Sequence, residues 1–317
     1  MASKIGNKDV IARYIGNNKV IKQYLGTQVI YEESNSFVCD GTNIQFTYNT
    51  NSVSYKVNDS TYTANVSNSV DNGDGTYTYS TTLPPVNNIS FRSCSGLTEL
   101  NCLPNATPTD MTNAFNSCTN LQYLDLTSFN TSGVTIMDYC FSGCKNLTHY
   151  IGLENLDVSN VSSMTALFSN NYKVSEFNIK NWDMRNNKYV DLMFSGCSGM
   201  TSIDLSGWNT LNLINMTNMF QGCSGLISVD LSGWNISNLR EPSNLFDGCT
   251  NLKSINLTGW KITENWKSTT NENVFKNCNS LETIILGETD QTTYDWVYGK
   301  LVLKNLQDQV TIEYSIT

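Results

Sequence analysis

The sequence predicts an α/β fold, in which a solenoid of about eight repeats follows a small all-β region. A phenylalanine recurs at steps of 24 to 29 residues, at positions Phe91, Phe115, Phe141, Phe168, Phe194, Phe220, Phe246 and Phe275. A cysteine follows three residues later in seven of these eight units, and Asn171 takes its place in the fourth. A fixed period of this length is typical of a solenoid, because one short unit cannot bury its apolar face alone and must stack on its neighbours.

Within each unit of about 26 residues, a strand pattern precedes a helix pattern. Residues 203–205 alternate apolar and polar side chains, which is the period of a strand with one buried face. Between Met216 and Cys223 the apolar residues are spaced by three and four, which is the period of a helix. One strand and one short helical turn per unit is the plan of a leucine-rich repeat, so residues 91–287 are predicted to form a leucine-rich-repeat solenoid.

The segment from Asn218 to Leu239, NMFQGCSGLISVDLSGWNISNL, and its neighbours resemble a known repeat family. They are similar to the BspA-type leucine-rich repeats of bacterial surface proteins, which also occur in tailed-phage proteins. Repeat scaffolds host many partners, so the resemblance implies the fold and leaves the ligand open. Asn171, Leu156 and a longer insertion before Phe275 depart from the pattern and bear on the regularity of those units.

Charge and hydropathy argue against two kinds of partner. The 317 residues carry a formal net charge of −9, whereas neutralising nucleic-acid phosphates requires clustered lysine and arginine. No run of about 18 apolar residues occurs, so no membrane span is predicted. The amino terminus interleaves charged and apolar residues, so no secretory leader is expected. This favours a phage protein, which reaches the outside by lysis, over an exported adhesin.

The cysteines predict a ladder of free thiols. Seven of the ten occupy one equivalent position in each repeat, where they are expected to line the inner side of the coil as small buried side chains. Disulfide bonds between neighbouring repeats are the alternative, but they require a specific Cβ geometry that a regular stack need not offer. His149 is the only histidine and no paired C-x-x-C clusters occur, so neither zinc nor any other cofactor is expected.

Residues 1–35 are predicted to be a separate β segment for attachment. Glycines at ten-residue steps alternate with apolar pairs, which predicts short strands linked by tight turns and resembles the attachment ends of tailed-phage fibre and tail proteins. So small a strand set needs a partner for stability, either another virion protein or another copy of the chain. The predicted attachment residues are Val10, Ile11, Tyr14, Val20, Ile21, Tyr24, Val29 and Tyr31. The alternative is a simple β-extension of the next domain.

Two further regions are predicted to cap the solenoid. Residues 36–90 alternate apolar and polar side chains between turn signals, which predicts a small β domain over the first repeat. Its loop at residues 71–75 is expected to be a hairpin turn, with a calcium loop as the alternative. Residues 288–317 combine a helix pattern with a final strand pattern, which predicts a helix–strand cap at the other end.

The strand positions that point away from the predicted core form the candidate binding face. They present carboxylates, amides and one phenol, at Tyr123, Asp125, Glu176, Asn178, Asp204, Asp230 and Asn256. Such a column could hydrogen-bond sugar hydroxyls or meet a basic protein patch. The alternative is structural, since these side chains can solubilise an exposed sheet or bond neighbouring strands. The tryptophans Trp182, Trp208, Trp234 and Trp260 hold a fixed place in each unit, which favours core packing over a sugar-stacking platform.

The function predicted from these features is structural and non-enzymatic. No nucleophile or acid–base set accompanies the repeats, and the repeat itself generates the acids that pair. The sequence predicts a tailed-phage virion protein, a head or tail fibre component that displays its repeats for adhesion to a host surface or glycan. It is expected at the virion surface, as a homo-oligomer joined to other virion proteins through its N-terminus. The alternative is an extracellular, cell-surface leucine-rich-repeat adhesin of a bacterium or protist.

Overall fold

The repeats stack as the turns of a β-solenoid, about eight turns long, in a computed structural model of the chain. The structure describes residues 12–15, 18–25, 28–31, 43–57, 60–82, 89–102, 107–127, 129–240, 242–262, 266, 273–287 and 291–314. The solenoid predicted from the repeat period is therefore confirmed. The boundaries predicted for the regions on either side of it stay predictions.

Three antiparallel strands form a meander near the N-terminus. They are β1 (Ala12–Ile15), β2 (Asn18–Leu25) and β3 (Gln28–Tyr31). The middle strand, β2, pairs with both of the others, so β1 and β3 are the edges of this small sheet among the strands that the structure describes.

Six strands follow before the first solenoid turn. They are β4 (Asn43–Tyr48), β5 (Ser52–Val57), β6 (Ser60–Asn65), β7 (Val70–Asp71), β8 (Tyr77–Thr82) and β9 (Ile89–Ser90). One antiparallel sheet contains β4, β8 and β7, and a second has the order β6-β5-β9. The predicted hairpin turn joins β7 to β8, where Asp71 accepts a hydrogen bond from the Gly73 N–H (2.8 Å) and Asp74 from the Thr76 N–H (2.9 Å).

Short parallel strands form one side of the solenoid. They are β10 (Leu97–Cys102), β11 (Tyr123–Asp125), β12 (His149–Ile151), β13 (Ser202–Asp204), β14 (Ser228–Asp230), β15 (Ser254–Asn256), β16 (Thr283–Leu286) and β17 (Thr311–Tyr314). Helix α1 (Gln291–Val302) precedes the last strand. The strands pair in two stretches, β10 to β12 and β13 to β17. A second column of single parallel bridges joins Asp110, Ile136, Ser163, Tyr189 and Asn215.

The helical turn predicted in each repeat is wrong, and with it the α/β class for the repeats. Between Met216 and Cys223 the chain makes tight turns, in which the Met219 N–H bonds the Met216 carbonyl at 3.2 Å. Asn218 has a φ of 58° and Gly222 a φ of 73°, whereas a helix requires about −63°. These residues stand third in their turns, the place at which a type II turn requires positive φ. Consecutive turns reproduce the helical spacing of three and four, which explains why the sequence pattern misleads.

Backbone hydrogen bonds to the next coil replace those of the predicted helix. The Phe220 N–H bonds the Leu245 carbonyl at 3.0 Å, and the Gly222 N–H bonds the Asp247 carbonyl at 2.8 Å. Equivalent bonds recur in the preceding coils, as between Phe194 and Met219 (2.9 Å). The turn segments, like the strands, are therefore joined to the next coil by backbone hydrogen bonds, which is how the coils of a β-solenoid are held together.

The repeated phenylalanines form a continuous stack through the core. Ring centroids of successive residues lie between 5.5 Å, for Phe220 and Phe246, and 6.2 Å, for Phe246 and Phe275. The ring planes differ by 14° at most, between Phe168 and Phe194. Each such pair stabilises the fold by about 0.5–1.5 kcal/mol beyond the burial of its apolar area. Seven equivalent ring contacts therefore favour one register between successive coils.

Both ends of the solenoid meet other elements. Strand β4 pairs antiparallel with β10, and the rings of Phe46 and Tyr55 each lie 5.3 Å from Phe91. At the other end β17 pairs parallel with β16, and Trp296 of α1 packs 5.3 Å from Trp266. These contacts shield the apolar first and last coils, which would otherwise face water.

Candidate interaction face

Part of the predicted binding face is assembled on the sheet formed by β13 to β17. Asp204 pairs in register with Asp230, and Asp230 with Asn256, so these three side chains form a row across β13, β14 and β15. A parallel row of serines lies beside them, at Ser202, Ser228 and Ser254. Together they line an open groove of about 380 Å³. Asp204 is exposed, and Asp230 and Asn256 are half-buried.

Tyr123 and Asp125 are not part of an exposed face, contrary to the prediction. Tyr123 is 6% exposed and Asp125 is 3% exposed. Their strand, β11, is an interior strand with β10 on one side and β12 on the other. The Asp125 carboxylate turns back on its own chain, where it accepts hydrogen bonds from the N–H (2.9 Å) and hydroxyl (2.6 Å) of Thr127.

Glu176 and Asn178 are exposed but lie outside any strand. Their coil falls between the two strand stretches, and the Ile179 N–H bonds the Phe177 carbonyl (3.1 Å) within a local bend. The structure therefore places no paired strand at these two residues, although the Thr201 N–H bonds the Ser175 carbonyl beside them at 3.2 Å.

The acidic and amide side chains that end the strands act as turn acceptors. Each accepts a hydrogen bond from the backbone N–H two residues later, namely Asp204 from Ser206 (3.0 Å), Asp230 from Ser232 (2.8 Å) and Asn256 from Thr258 (3.0 Å). Such local bonds are the reason that Asp and Asn favour turns. These residues therefore have a structural role in their own turns, which differs from the solubilising role and the bonds between strands that the sequence left open.

Lys180 meets the exposed end of this row. Its Nζ lies 2.5 Å from the Asp204 Oδ2, and this hydrogen bond is the main cause that lowers the pKa of Asp204 below its ordinary value. Both side chains are about half exposed, so water screens the pair and its contribution to stability is small. Asp204 therefore presents a neutralised rather than a free charge to a partner.

The cysteine ladder bonds one coil to the next. From Cys118 onwards, each ladder thiol donates to the carbonyl of the phenylalanine in the preceding coil, as Cys118 does to Phe91 (3.0 Å) and Cys223 to Phe194 (3.0 Å). The same bond recurs at Cys144, Cys197, Cys249 and Cys278. Asn171 preserves it in the one unit that lacks cysteine, because its Nδ2 donates to the Phe141 carbonyl at 3.1 Å. Cys94, in the first coil, donates to the Ser54 carbonyl instead (2.8 Å).

These thiols are free and poorly suited to chemistry. Cys94, Cys118, Cys140, Cys144, Cys197, Cys223, Cys249 and Cys278 are unbridged, and all but Cys94 are buried. Burial raises the pKa of the Cys144 and Cys197 thiols to about 12. A thiolate is the nucleophilic form, so these groups are inert at neutral pH. Cys39 and the side chain of Cys102 lie outside the described residues.

The four repeat tryptophans belong to the core, as their fixed spacing predicts. None is more than 3% exposed, and each indole N–H donates to a carbonyl of the preceding coil. These donors are Trp182, Trp208, Trp234 and Trp260, with N–O distances of 3.1, 3.0, 2.9 and 3.0 Å. Their faces are therefore closed to a sugar.

The predicted attachment residues fall mainly in the N-terminal meander. Tyr14 lies in β1, Val20, Ile21 and Tyr24 lie in β2, and Val29 and Tyr31 lie in β3. Val10 and Ile11 lie outside the described residues.

A tyrosine groove between α1 and β17 was missed by the sequence analysis. It has a volume of about 360 Å³, and Tyr294, Tyr298 and Tyr314 line it. Tyr294 and Tyr298 are four residues apart on one helix, so their spacing in the sequence could have predicted that they share a face. Tyr314 comes from the strand beyond the following loop, so its approach could not be derived from spacing.

Within the residues that the structure describes, no three His, Cys, Asp or Glu side chains converge as a metal site would require. Over the same residues, no helix has both the length and the apolar character needed to cross a bilayer.

Comparison with known proteins identifies the repeats. A family model described as "Mycoplasma protein of unknown function, DUF285" matches residues 109–224 and 201–288. A search of curated proteins finds no match. The two matched ranges overlap at residues 201–224 and together span more than half of the 317 residues. The chain belongs to the DUF285 family.

Proposed function

We propose that this protein is a non-enzymatic structural protein of a tailed-phage virion, a head or tail fibre component whose solenoid adheres to a host surface or glycan. The observation that carries the proposal is that the repeat's polar and reactive side chains form hydrogen bonds within the protein. Thiols, indoles and strand-end acids alike are engaged in bonds within or between coils. The solenoid therefore presents a rigid surface to a partner, and not reactive side chains.

The chemistry of the side chains supports a non-enzymatic role. A nucleophilic cysteine requires a lowered pKa and access to solvent, whereas burial raises the pKa of every described cysteine here. Catalytic carboxylates require a free oxygen near the substrate. Asp204 instead accepts bonds from its own turn and from Lys180.

The N-terminal meander supports attachment by that end. Strands β1 and β3 are the edges of a three-stranded sheet, and edge strands present unpaired backbone groups to further strands. The meander's 20-residue span is too short to bury a core of its own, so strand addition from another virion protein or another copy of the chain would stabilise it. The resemblance of the repeats to BspA-type leucine-rich repeats, and of the N-terminal segment to phage fibre proteins, is a further argument for this proposal.

A cell-surface adhesin is the second candidate function. The family description names Mycoplasma, which favours a cellular protein over a phage protein. Both candidates share the solenoid as the adhesive body, and they differ in the particle that carries it.

Quantitative mass spectrometry of purified virions and of washed host envelopes tests the two candidates. We expect peptides of this chain in virions at a fixed ratio to the major capsid protein, and none in envelopes of uninfected cells. Enrichment in envelopes of uninfected cells, with none in virions, would replace the virion role with the adhesin role.

A further inference from the structure

The groove between α1 and β17 has the features of a small-molecule site. Its volume of about 360 Å³ is within the range that holds small ligands. Three tyrosines and the amides of Gln291 and Gln307 line it, together with two aliphatic side chains. None of the lining residues is charged.

The tyrosine rings form nearly parallel plates at this groove. Tyr294 stacks on Tyr298 with centroids 5.9 Å apart and planes 7° apart, and on Tyr314 at 6.4 Å and 15°. Tyr298 is 43% exposed and Tyr314 is 55% exposed, although large aromatic side chains gain stability from burial. Apolar ring faces are therefore held in a fixed orientation at the surface.

The two amide groups beside the rings differ in their access to a ligand. The Gln291 Nε2 donates to Asp295 (2.7 Å), and the Gln307 Nε2 donates to Asp308 (3.1 Å). Both amide nitrogens are thus engaged, and the Gln307 Oε1 is buried without a hydrogen-bond partner. The exposed Gln291 amide and the tyrosine hydroxyls are therefore the polar groups that a ligand with several hydroxyls would meet.

We propose that this groove binds a neutral saccharide of one to three residues. The C–H face of a pyranose packs on the negative face of an aromatic ring, and its hydroxyls bond the Gln291 amide oxygen and the tyrosine hydroxyls. Asp295 and Asp308 stand beside the two glutamines, so sialylated or sulfated glycans are disfavoured. The inference rests on the adhesion proposed above, for which it names the ligand class and moves the contact from the strand face to the C-terminal end.

Binding of the purified full-length chain to a glycan array tests the site. The probes are neutral oligosaccharides of glucose, galactose, mannose and N-acetylglucosamine, with sialylated and sulfated counterparts, and calorimetry then gives Kd for each hit. We expect neutral glycans alone to bind, Tyr298→Ala and Tyr314→Ala to weaken Kd at least tenfold, and the Phe variants at both positions to keep most of the affinity. Tyr172→Ala is the matched control, because Tyr172 is 41% exposed elsewhere on the solenoid.

Two results would overturn the inference. One is no neutral glycan bound, with the alanine variants converting an oligomer to a monomer, which would make the groove an interface between copies. The other is glycan binding that the tyrosine variants leave unchanged while their melting temperatures match wild type. Tyrosine-dependent glycan binding by a chain absent from virions would instead uphold the site and overturn the virion role.

Discussion

At the scale of single residues, the repeats share one set of hydrogen bonds, which recurs from coil to coil around the phenylalanine carbonyl. The phenylalanine carbonyl receives one bond from the N–H of its own unit and a second from the next unit's thiol, as Phe194 does from Cys197 (2.9 Å) and Cys223 (3.0 Å). Asn171 shows that the position requires a donor rather than a sulfur atom. Cysteine suits the place because its small side chain is largely apolar.

Asn171 provides a direct test of this requirement. Its Oδ1 is buried without a partner, and its Nδ2 lies within bonding distance of the Phe141 carbonyl (3.1 Å) and the Tyr150 hydroxyl (3.0 Å). We expect Asn171→Cys to be more stable than Asn171→Ala, because a thiol keeps the donor to the Phe141 carbonyl and removes the orphaned acceptor, while both variants lose the bond to the Tyr150 hydroxyl. Asn171→Ala should lose about 2 kcal/mol through the unsatisfied carbonyl and the cavity. Urea denaturation measures both, and a cysteine variant less stable than the alanine variant would contradict the ladder.

Asp230 tests whether the strand-end acids serve the fold. Its Oδ1 accepts the Ser232 N–H at 2.8 Å, and an asparagine would keep that acceptor without the charge. We expect Asp230→Asn to unfold at the wild-type urea concentration and Asp230→Ala to lose about 1 kcal/mol. If neither substitution changes stability, the carboxylate is not needed by its turn and remains available to a ligand.

At the scale of elements, most strands of the repeats were predictable and the turns were not. Residues 203–205 show the alternation of a strand, and β13 lies there with its bounds one residue earlier, at Ser202–Asp204. The strand predicted at Glu176 and Asn178 did not form. The spacing between Met216 and Cys223 fits a helix and a run of tight turns equally, and the positive φ of Asn218 decides between them. The burial of Asp125 could not be derived from the sequence either, because its motif matches that of Asp204, which is exposed.

Asn218 distinguishes the turn from the helix by the sign of an effect. In a helix, alanine is about 1 kcal/mol more favourable than glycine. At a φ of 58°, glycine is instead favoured by about 1 kcal/mol, because the alanine Cβ meets the following carbonyl. Both substitutions lose the bond from Asn244 (2.8 Å), so their difference isolates the backbone term. We expect Asn218→Gly to melt above Asn218→Ala, and the reverse order would restore the predicted helix.

The cysteine ladder also predicts how stability depends on pH. Burial raises the pKa of Cys144, Cys197 and Cys278 from about 9 to about 12, so the folded state holds protons that the unfolded chain releases. Stability is therefore complete below pH 9 and falls as pH rises towards 12. Cys197→Ser keeps a donor that does not titrate, and it should reduce this slope by up to about 1.4 kcal/mol per pH unit. Urea midpoints from pH 8 to 11 measure the slope, and identical slopes for the two proteins would contradict the buried thiol.

At the scale of the whole molecule, the solenoid and the N-terminal meander differ in how completely their strands are covered. The solenoid is covered at one end by β4 and at the other by α1 and β17, and it buries a continuous core. The meander of β1 to β3 pairs within itself and has two edges. The period of the phenylalanines made the first part predictable, whereas the tyrosine groove required the meeting of Tyr298 and Tyr314, which are separated by a loop.

Incorporation of truncated chains into particles tests the central claim most directly. Phage that carry either the full-length gene or a copy lacking residues 1–33 are purified, and the copy number of each chain per capsid is measured by mass spectrometry. We expect the full-length chain at a constant copy number and the truncated chain absent from particles, although it is folded, with an unchanged melting temperature of the solenoid. Equal copy numbers for the two chains would contradict attachment through the meander, and absence of both from purified virions would contradict the virion role itself.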